Sequence, residues 1–230
     1  MRERISSAFQ VAACVLIGVA RFGSVAHAQS FAADLDTVKV GGGPKAPLGR
    51  IYVSDGKVRI ETRQLPDGFF IVDADREAAW FLRPQQRVFM EARRSSPLTQ
   101  TLVRVDPEDA CRQWQIMEKA AGPAGGDGEW RCRLLSRETI GGRETVEYET
   151  ISAGNRRTSI WVDAARHFPI RVENEDGSVV SVERFVDTPQ PASLFALPEG
   201  YRRFDPAELL ERIKQSDAWV ADRPKGGGGR

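Results

Sequence analysis

The sequence predicts a mainly β fold with a few short helices, built as one large antiparallel sheet or barrel. Three observations carry this. Short runs alternate apolar and polar residues at regular spacing, tight-turn dipeptides separate several of them, and only two segments carry helix-start signals.

The chain opens with "MRERISSAFQVAACVLIGVARFGSVAHAQS". Arg2 and Arg4, an apolar run from Ala8 to Ala20 and the small-x-small triplet Ala26-His27-Ala28 are the layout of a secretory signal peptide, with cleavage expected after Ala28. The run is short for a membrane span, which needs about 20 residues. The alternative is an uncleaved N-terminal anchor. Residues 1–28 hold three of the 33 basic and one of the 32 acidic residues, so cleavage takes the net charge from +1 to −1. Such a near-neutral surface argues against nucleic acid as a partner. The mature product is expected to be exported and soluble. Residues 29–221 are the length of one domain, and 41% apolar content is enough for a real core.

The first strand signal is "FAADLDTVKV", which alternates weakly and ends at Gly41-Gly42-Gly43. "RIYVSD" and "KVRIETR" flank Asp55-Gly56, a hairpin signal. "GFFIVDAD", "AAWFLRP" and "QRVFMEA" follow. "DPEDACRQWQIMEKAAG" then predicts a helix over 107–120, with Asp106 as N-cap, Pro107 at the first helical position, and Ala110, Trp114 and Met117 on one stripe. "RETVEYETI", "TSIWVD", "PIRVEN" and "VVSVERFV" form a second meander, with Asp176-Gly177 turning between the last two. "DPAELLERIKQ" repeats the helix device with Asp205, Pro206 and an apolar stripe of Leu209, Leu210 and Ile213. The tail, residues 222–230, is expected to be disordered. The count is roughly ten strands.

Successive strand residues point to opposite faces, so each strand divides into two sets. Ile51 and Val53, Val58 and Ile60, Trp80 and Leu82, Val88 and Met90, Ile160 and Val162, and Ile170 and Val172 each share a phase within their strand and together predict one aliphatic face. The other phase mixes Arg59, Glu61, Arg87, Glu91 and Arg171 with Tyr52, Phe89 and Trp161. The aliphatic face is either an ordinary core or the wall of a hollow that accepts an apolar chain. As a hollow it would be lined by Ile51, Val53, Val58, Ile60, Trp80, Leu82, Met90, Ile160 and Val162, with Trp114 pointing in from a helical lid toward the side that Trp80 faces.

After export Cys111 and Cys132 are the two remaining cysteines, and an even pair in an exported chain predicts a structural disulfide. No C-x-x-C or histidine cluster suggests a metal site, and no cofactor motif is present. In "WVDAARHFPIRVENEDG", Asp163 stands four residues before His167, the sole histidine after cleavage. The two could begin a catalytic pair, or punctuate a turn before Phe168-Pro169. No G-x-S-x-G, H-E-x-x-H or P-loop accompanies them, so the turn reading is preferred and no catalytic residue is expected.

The closing stretch "WVDAARHFPIRVENEDGSVVSVERFVDTPQPASLFALPEGYRRF" resembles that of periplasmic proteins similar to the outer-membrane lipoprotein carrier, the LolA-like superfamily. The W-V-D strand, the "FPIR" turn, the "EDG" hairpin and Ser193 to Tyr201, "SLFALPEGY", carry the likeness in order. "GRIYVSDGKVRIE" and "ETIGGRETVEYE" look like the family's earlier strands. The resemblance implies an unclosed antiparallel half-barrel covered by short helices. It also implies a lipid, acyl chain or lipoprotein as partner, since the carriers hold acyl chains in the hollow and a related sensor of envelope stress detects lipoproteins; the alternative partner is another envelope protein. The chain departs from the carriers in its cysteine pair and in having no long helix before the first strand pair. The expected function is a non-catalytic envelope protein binding an apolar ligand; the alternative is a structural or regulatory protein-interaction module.

Overall fold

The computed structural model describes residues 30–39, 43–93, 97–122 and 129–205. The leader, Gly41 and Gly42, the second predicted helix from Pro206 onward and the tail lie outside the described residues. The strands, in chain order, are β1 (Ser30–Val38), β2 (Ala46–Ser54), β3 (Lys57–Thr62), β4 (Phe69–Asp73), β5 (Ala78–Arg83) and β6 (Val88–Glu91). Helices α1 (Pro97–Thr101) and α2 (Ala110–Ala121) follow, then β7 (Arg131–Ile140), β8 (Arg143–Ile151), β9 (Arg157–Asp163), β10 (Phe168–Asn174), β11 (Val179–Val186) and β12 (Arg202–Arg203).

The twelve strands among the described residues belong to one unclosed sheet, in the order β12-β6-β5-β4-β3-β2-β1-β11-β10-β9-β8-β7. The two predicted meanders are therefore joined through β1, which pairs with β2 on one side and β11 on the other. Every pairing is antiparallel except the short parallel contact of β12 with β6. The fold is an open half-barrel with helices against one face. It has two strands more than the roughly ten expected: β7 and β12 carry no clean alternation and escape a reading by pattern.

Local chemistry sets the register. Asp55 and Gly56 have φ of 48° and 75°, the left-handed pair that a two-residue hairpin between Ser54 and Lys57 requires. In β11 the register slips against β1 between Ala32 and Asp34, where Arg184 has φ of 51°. This bulge lets Arg184 reach outward to Asp34 (2.7 Å) and Asp36 (2.9 Å) while the next residue, Phe185, packs on Phe31 of the core at 5.3 Å. A regular strand would have sent Arg184 and Phe185 to the opposite sides.

Helix α2 starts later than predicted. Asp106 accepts from the Glu108 N–H (2.9 Å) in a local turn, and the helix begins at Ala110 after Asp109 rather than at Pro107. Its predicted stripe is right: Ala110, Trp114 and Met117 are buried, with Ala121 added.

Candidate functional site

The inner face of the half-barrel is the predicted aliphatic face, and it is filled. Ile51, Val53, Val58, Ile60, Ile160 and Val162 are each 0–2% exposed and share one cluster with Trp114 and Met117 of α2. Leu102, Val103 and Val105, in the segment between the helices, complete the cover at 0–3% exposure. Trp114 stacks edge-on against Tyr148 of β8 (5.6 Å between centroids), and its indole Nε1 donates to the Thr101 carbonyl at 3.1 Å. The Tyr148 hydroxyl donates to the Pro107 carbonyl (2.9 Å) and accepts from the Ala110 N–H (3.4 Å), so it pins the start of α2. Burial pushes the Tyr148 phenol above its ordinary pKa, which keeps this donor protonated. Cys111 and Cys132 are joined in a disulfide that ties the first turn of α2 to β7.

Two predicted lining residues fall on the other side. Cross-strand register runs Ile51, Ile60, Phe70, Phe81, Met90, so Phe70 and Phe81 take the inner face and Met90 keeps the phase expected of it. Trp80 and Leu82 instead join Phe69, Ile71, Phe89 and Tyr201 in a second apolar cluster on the outer face. Trp114 thus does not face the side of Trp80. The physical reason lies in β4, where all five residues are buried because both faces are covered. Alternation disappears there, and the phase cannot be carried from β3 to β5 by pattern alone. The outer cover includes the segment after β11. A 3-10 turn at Ala192–Phe195 packs on β3, Arg59 donates to the Leu194 carbonyl (3.4 Å) and Tyr201 closes over the cluster. That is the work of the "SLFALPEGY" motif in this chain.

Asp163 and His167 do not form a pair. The Asp163 carboxylate is buried and accepts from the Ala165 (2.9 Å) and Arg166 (3.0 Å) backbone N–H groups. It also meets the guanidinium groups of Arg143 (3.2 Å) and Arg166 (3.4 Å). His167 is exposed, has φ of 50°, and its carbonyl accepts from Val105 N–H at 3.0 Å. The arrangement is that of a capped turn, and it also docks the segment covering the core.

The surface clefts are polar-lined or mixed. One of about 690 Å³ lies on the outer face among Asp34, Asp36, Arg50, Arg59, Glu61 and Arg184, whose charges largely pair with each other. A second, about 730 Å³, is bounded by Asp55, Asp75, Asp106, Asp109 and His167. A third, about 730 Å³, lies beside β7 at the disulfide, among Arg112, Trp130, Arg131, Cys132, Arg133 and Arg157. Among the described residues no group of three or more His, Cys, Asp or Glu side chains is placed to hold a metal ion. The β7 strand stands out. It is the last strand of the sheet, no residue in it is buried, and Leu134 and Leu135 are 44% and 41% exposed.

No family model matches the chain, and no curated protein sequence does. Solved structures do match. An uncharacterised conserved protein from Thermus thermophilus is 14% identical over 77% of this chain and 91% of its own, with a TM-score of 0.45. PNGF-II is 8% identical over 82% of this chain, which spans 34% of PNGF-II, with a TM-score of 0.49. A domain from Vibrio parahaemolyticus named for outer membrane lipoprotein sorting is 11% identical over 82% of this chain and 92% of its own, with a TM-score of 0.31. At these values the matches carry no argument, and the half-barrel rests on the strand order itself.

Proposed function

We propose that the chain is an exported, non-catalytic binding protein of the cell envelope whose partner is another protein. One contrast carries this reading. The inner face, where an apolar ligand would lie, is occupied by Leu102, Val103, Trp114 and Met117 at 0–4% exposure, whereas the β7 edge leaves two leucines half in water. A filled core beside an exposed apolar edge favours a protein partner over a preformed lipid pocket.

The second reading is an acyl-chain carrier whose lid opens. It is favoured by the continuous aliphatic face under α2 and by the position of the disulfide, which holds the lid at its first turn and not at its far end near Gly122. In that reading the lining is Ile51, Val53, Val58, Ile60, Met90, Ile160 and Val162, with Trp114 moving outward.

Native mass spectrometry of the protein purified from its own envelope separates the two. A polypeptide of discrete mass is expected to accompany it. A discrete lipid mass without polypeptide would overturn the proposal in favour of the carrier. A fluorescent fatty-acid series gives the second arm. A preformed or easily opened hollow would tighten binding by about 0.8 kcal/mol per buried methylene, whereas the protein-binding reading expects no dependence on chain length.

A further inference from the structure

We propose that the free edge of β7 and the cleft beside it take an extended acidic segment of a partner protein, added to the sheet as a further strand. This rests on the protein-binding reading above and gives it a site and a partner chemistry.

The two ends of the sheet are not alike. At one end β12 pairs with β6; at the other, β7 carries ten residues with no strand beyond it among the described residues. A free edge offers a row of backbone donors and acceptors, which is what strand addition uses. The cleft at this edge touches Arg131, Cys132 and Arg133 in succession. Arg131 stands opposite Ile151 and Ile151 opposite Arg157, while Arg133 stands opposite Glu149. All five line the cleft, so it opens from the β7 edge onto the adjoining face of β8 and β9 and also takes in Cys132 on the strand's other side. Helix α2 walls it with Arg112.

Charge identifies the occupant. Of the carboxylates in the cleft, Glu149 is already spanned by Arg133 (2.7 Å) and Arg157 (3.2 Å). Asp109 is the other, against four arginines in all. Arg112 and Arg131 are exposed and make no ion pair among the described residues. The cleft therefore has unspent positive charge beside the β7 edge, in Arg112 of α2 and Arg131 of β7 itself. A second copy of β7 is a poor occupant. The strand carries three arginines and one glutamate, and the register slip at Leu134/Ser136 bends it. Like charge and a bulge are devices that prevent an edge from pairing with itself, and the same charge selects an acidic strand. Leu134 and Leu135 offer that strand apolar contact.

The test uses the full chain and labelled peptides of about ten residues, the length of a long strand. One peptide alternates valine and glutamate, one alternates valine and lysine, and one is the glutamate peptide N-methylated at alternate residues. Anisotropy should show binding of the first alone. Amide exchange should slow in β7 and not in β1 or β6. Both arginines are on the surface, so Arg112→Glu with Arg131→Glu should fold normally and weaken the glutamate peptide by about tenfold or more. Equal binding of both charges, binding that survives N-methylation, failure of the acidic peptide to bind, or protection elsewhere than β7 would each overturn the proposal. So would a β7-dependent dimer in sedimentation, which would make a second copy the occupant. A polypeptide found by native mass spectrometry together with unprotected β7 amides would sink this site while leaving the protein-binding reading standing.

Discussion

Replacing both Cys111 and Cys132 with alanine tests how the cover is held. The bond closes a loop of sequence separation 21. The chain-entropy expression for a loop of that length gives a loss of about 3 kcal/mol, through the greater freedom of the unfolded chain. For a domain of roughly 200 residues each kcal/mol moves the melting midpoint by about 2–4 °C, so the double variant should melt about 6–12 °C lower. The urea m-value should rise, because the unlinked chain unfolds to a more expanded state. Hydrogen exchange then separates two mechanisms. If the bond acts through the unfolded state, slowly exchanging amides in β1 and β2, far from the disulfide, should lose the same free energy as those of α2. If it acts as a local clip, only α2 and β7 should loosen. Calorimetry, urea titration and exchange on the same protein give the answer. A midpoint within about 2 °C of the parent, with unchanged m, would refute the entropic reasoning. Unperturbed β1 amides with frayed α2 amides would replace it with the clip.

Three further outcomes are expected. His167→Ala should change stability by about 0.5 kcal/mol or less, because the side chain is exposed; His167→Gly should gain up to about 1 kcal/mol by relieving the positive φ, and thermal melts check both. Asp163→Ala should cost about 3 kcal/mol or more, since it removes the acceptor of two turn N–H groups and leaves two guanidinium groups without their shared carboxylate; urea unfolding reads this directly. Trp114→Ala should cost about 3–5 kcal/mol, whereas Trp80→Ala, on a partly buried outer position, should cost clearly less; equal losses would argue that the two tryptophans share one core after all.

The β2–β3 hairpin, the β9–β10 turn and the stripe of α2 were legible because each is specified locally. Asp55-Gly56 needs only its own backbone freedom, Asp163 needs only the N–H groups of the next residues, and Ala110, Trp114 and Met117 need only the helical period. Trp80 and Leu82 failed for a nonlocal reason. Alternation tells which residues of one strand share a face, but not which face, and β4 between them and β3 is buried throughout. The sign of the phase was set by the register Ile60–Phe70–Phe81, which depends on the turns between those strands and not on composition. The outer cover is equally nonlocal, since Tyr201 lies far along the chain from Phe69, Ile71 and Leu82.

Of the two strands that pattern missed, β7 carries the candidate edge, and the two facts have one cause. Hydrophobic periodicity marks a strand because one of its faces is buried. β7 buries neither face; its apolar residues Leu134 and Leu135 are adjacent instead of alternating, and the register slip between Leu134 and Ser136 leaves Leu135 without an opposite residue on β8. Nothing in "RCRLLSRETI" then distinguishes it from a solvated loop except its place before Gly141-Gly142 and the alternating "RETVEYETI". The residue that does betray it is Cys132. A cysteine paired with Cys111 must lie within reach of the α2 stripe, so the disulfide expected from the sequence already pins one point of β7 against the helix. Extending from that point by the two-residue period, Leu134 falls on the same side as Cys132, and it does so opposite the buried Tyr148 while remaining 44% exposed. An edge that stays in water beside a buried partner strand lacks the periodic signal for the same reason that it is free to pair.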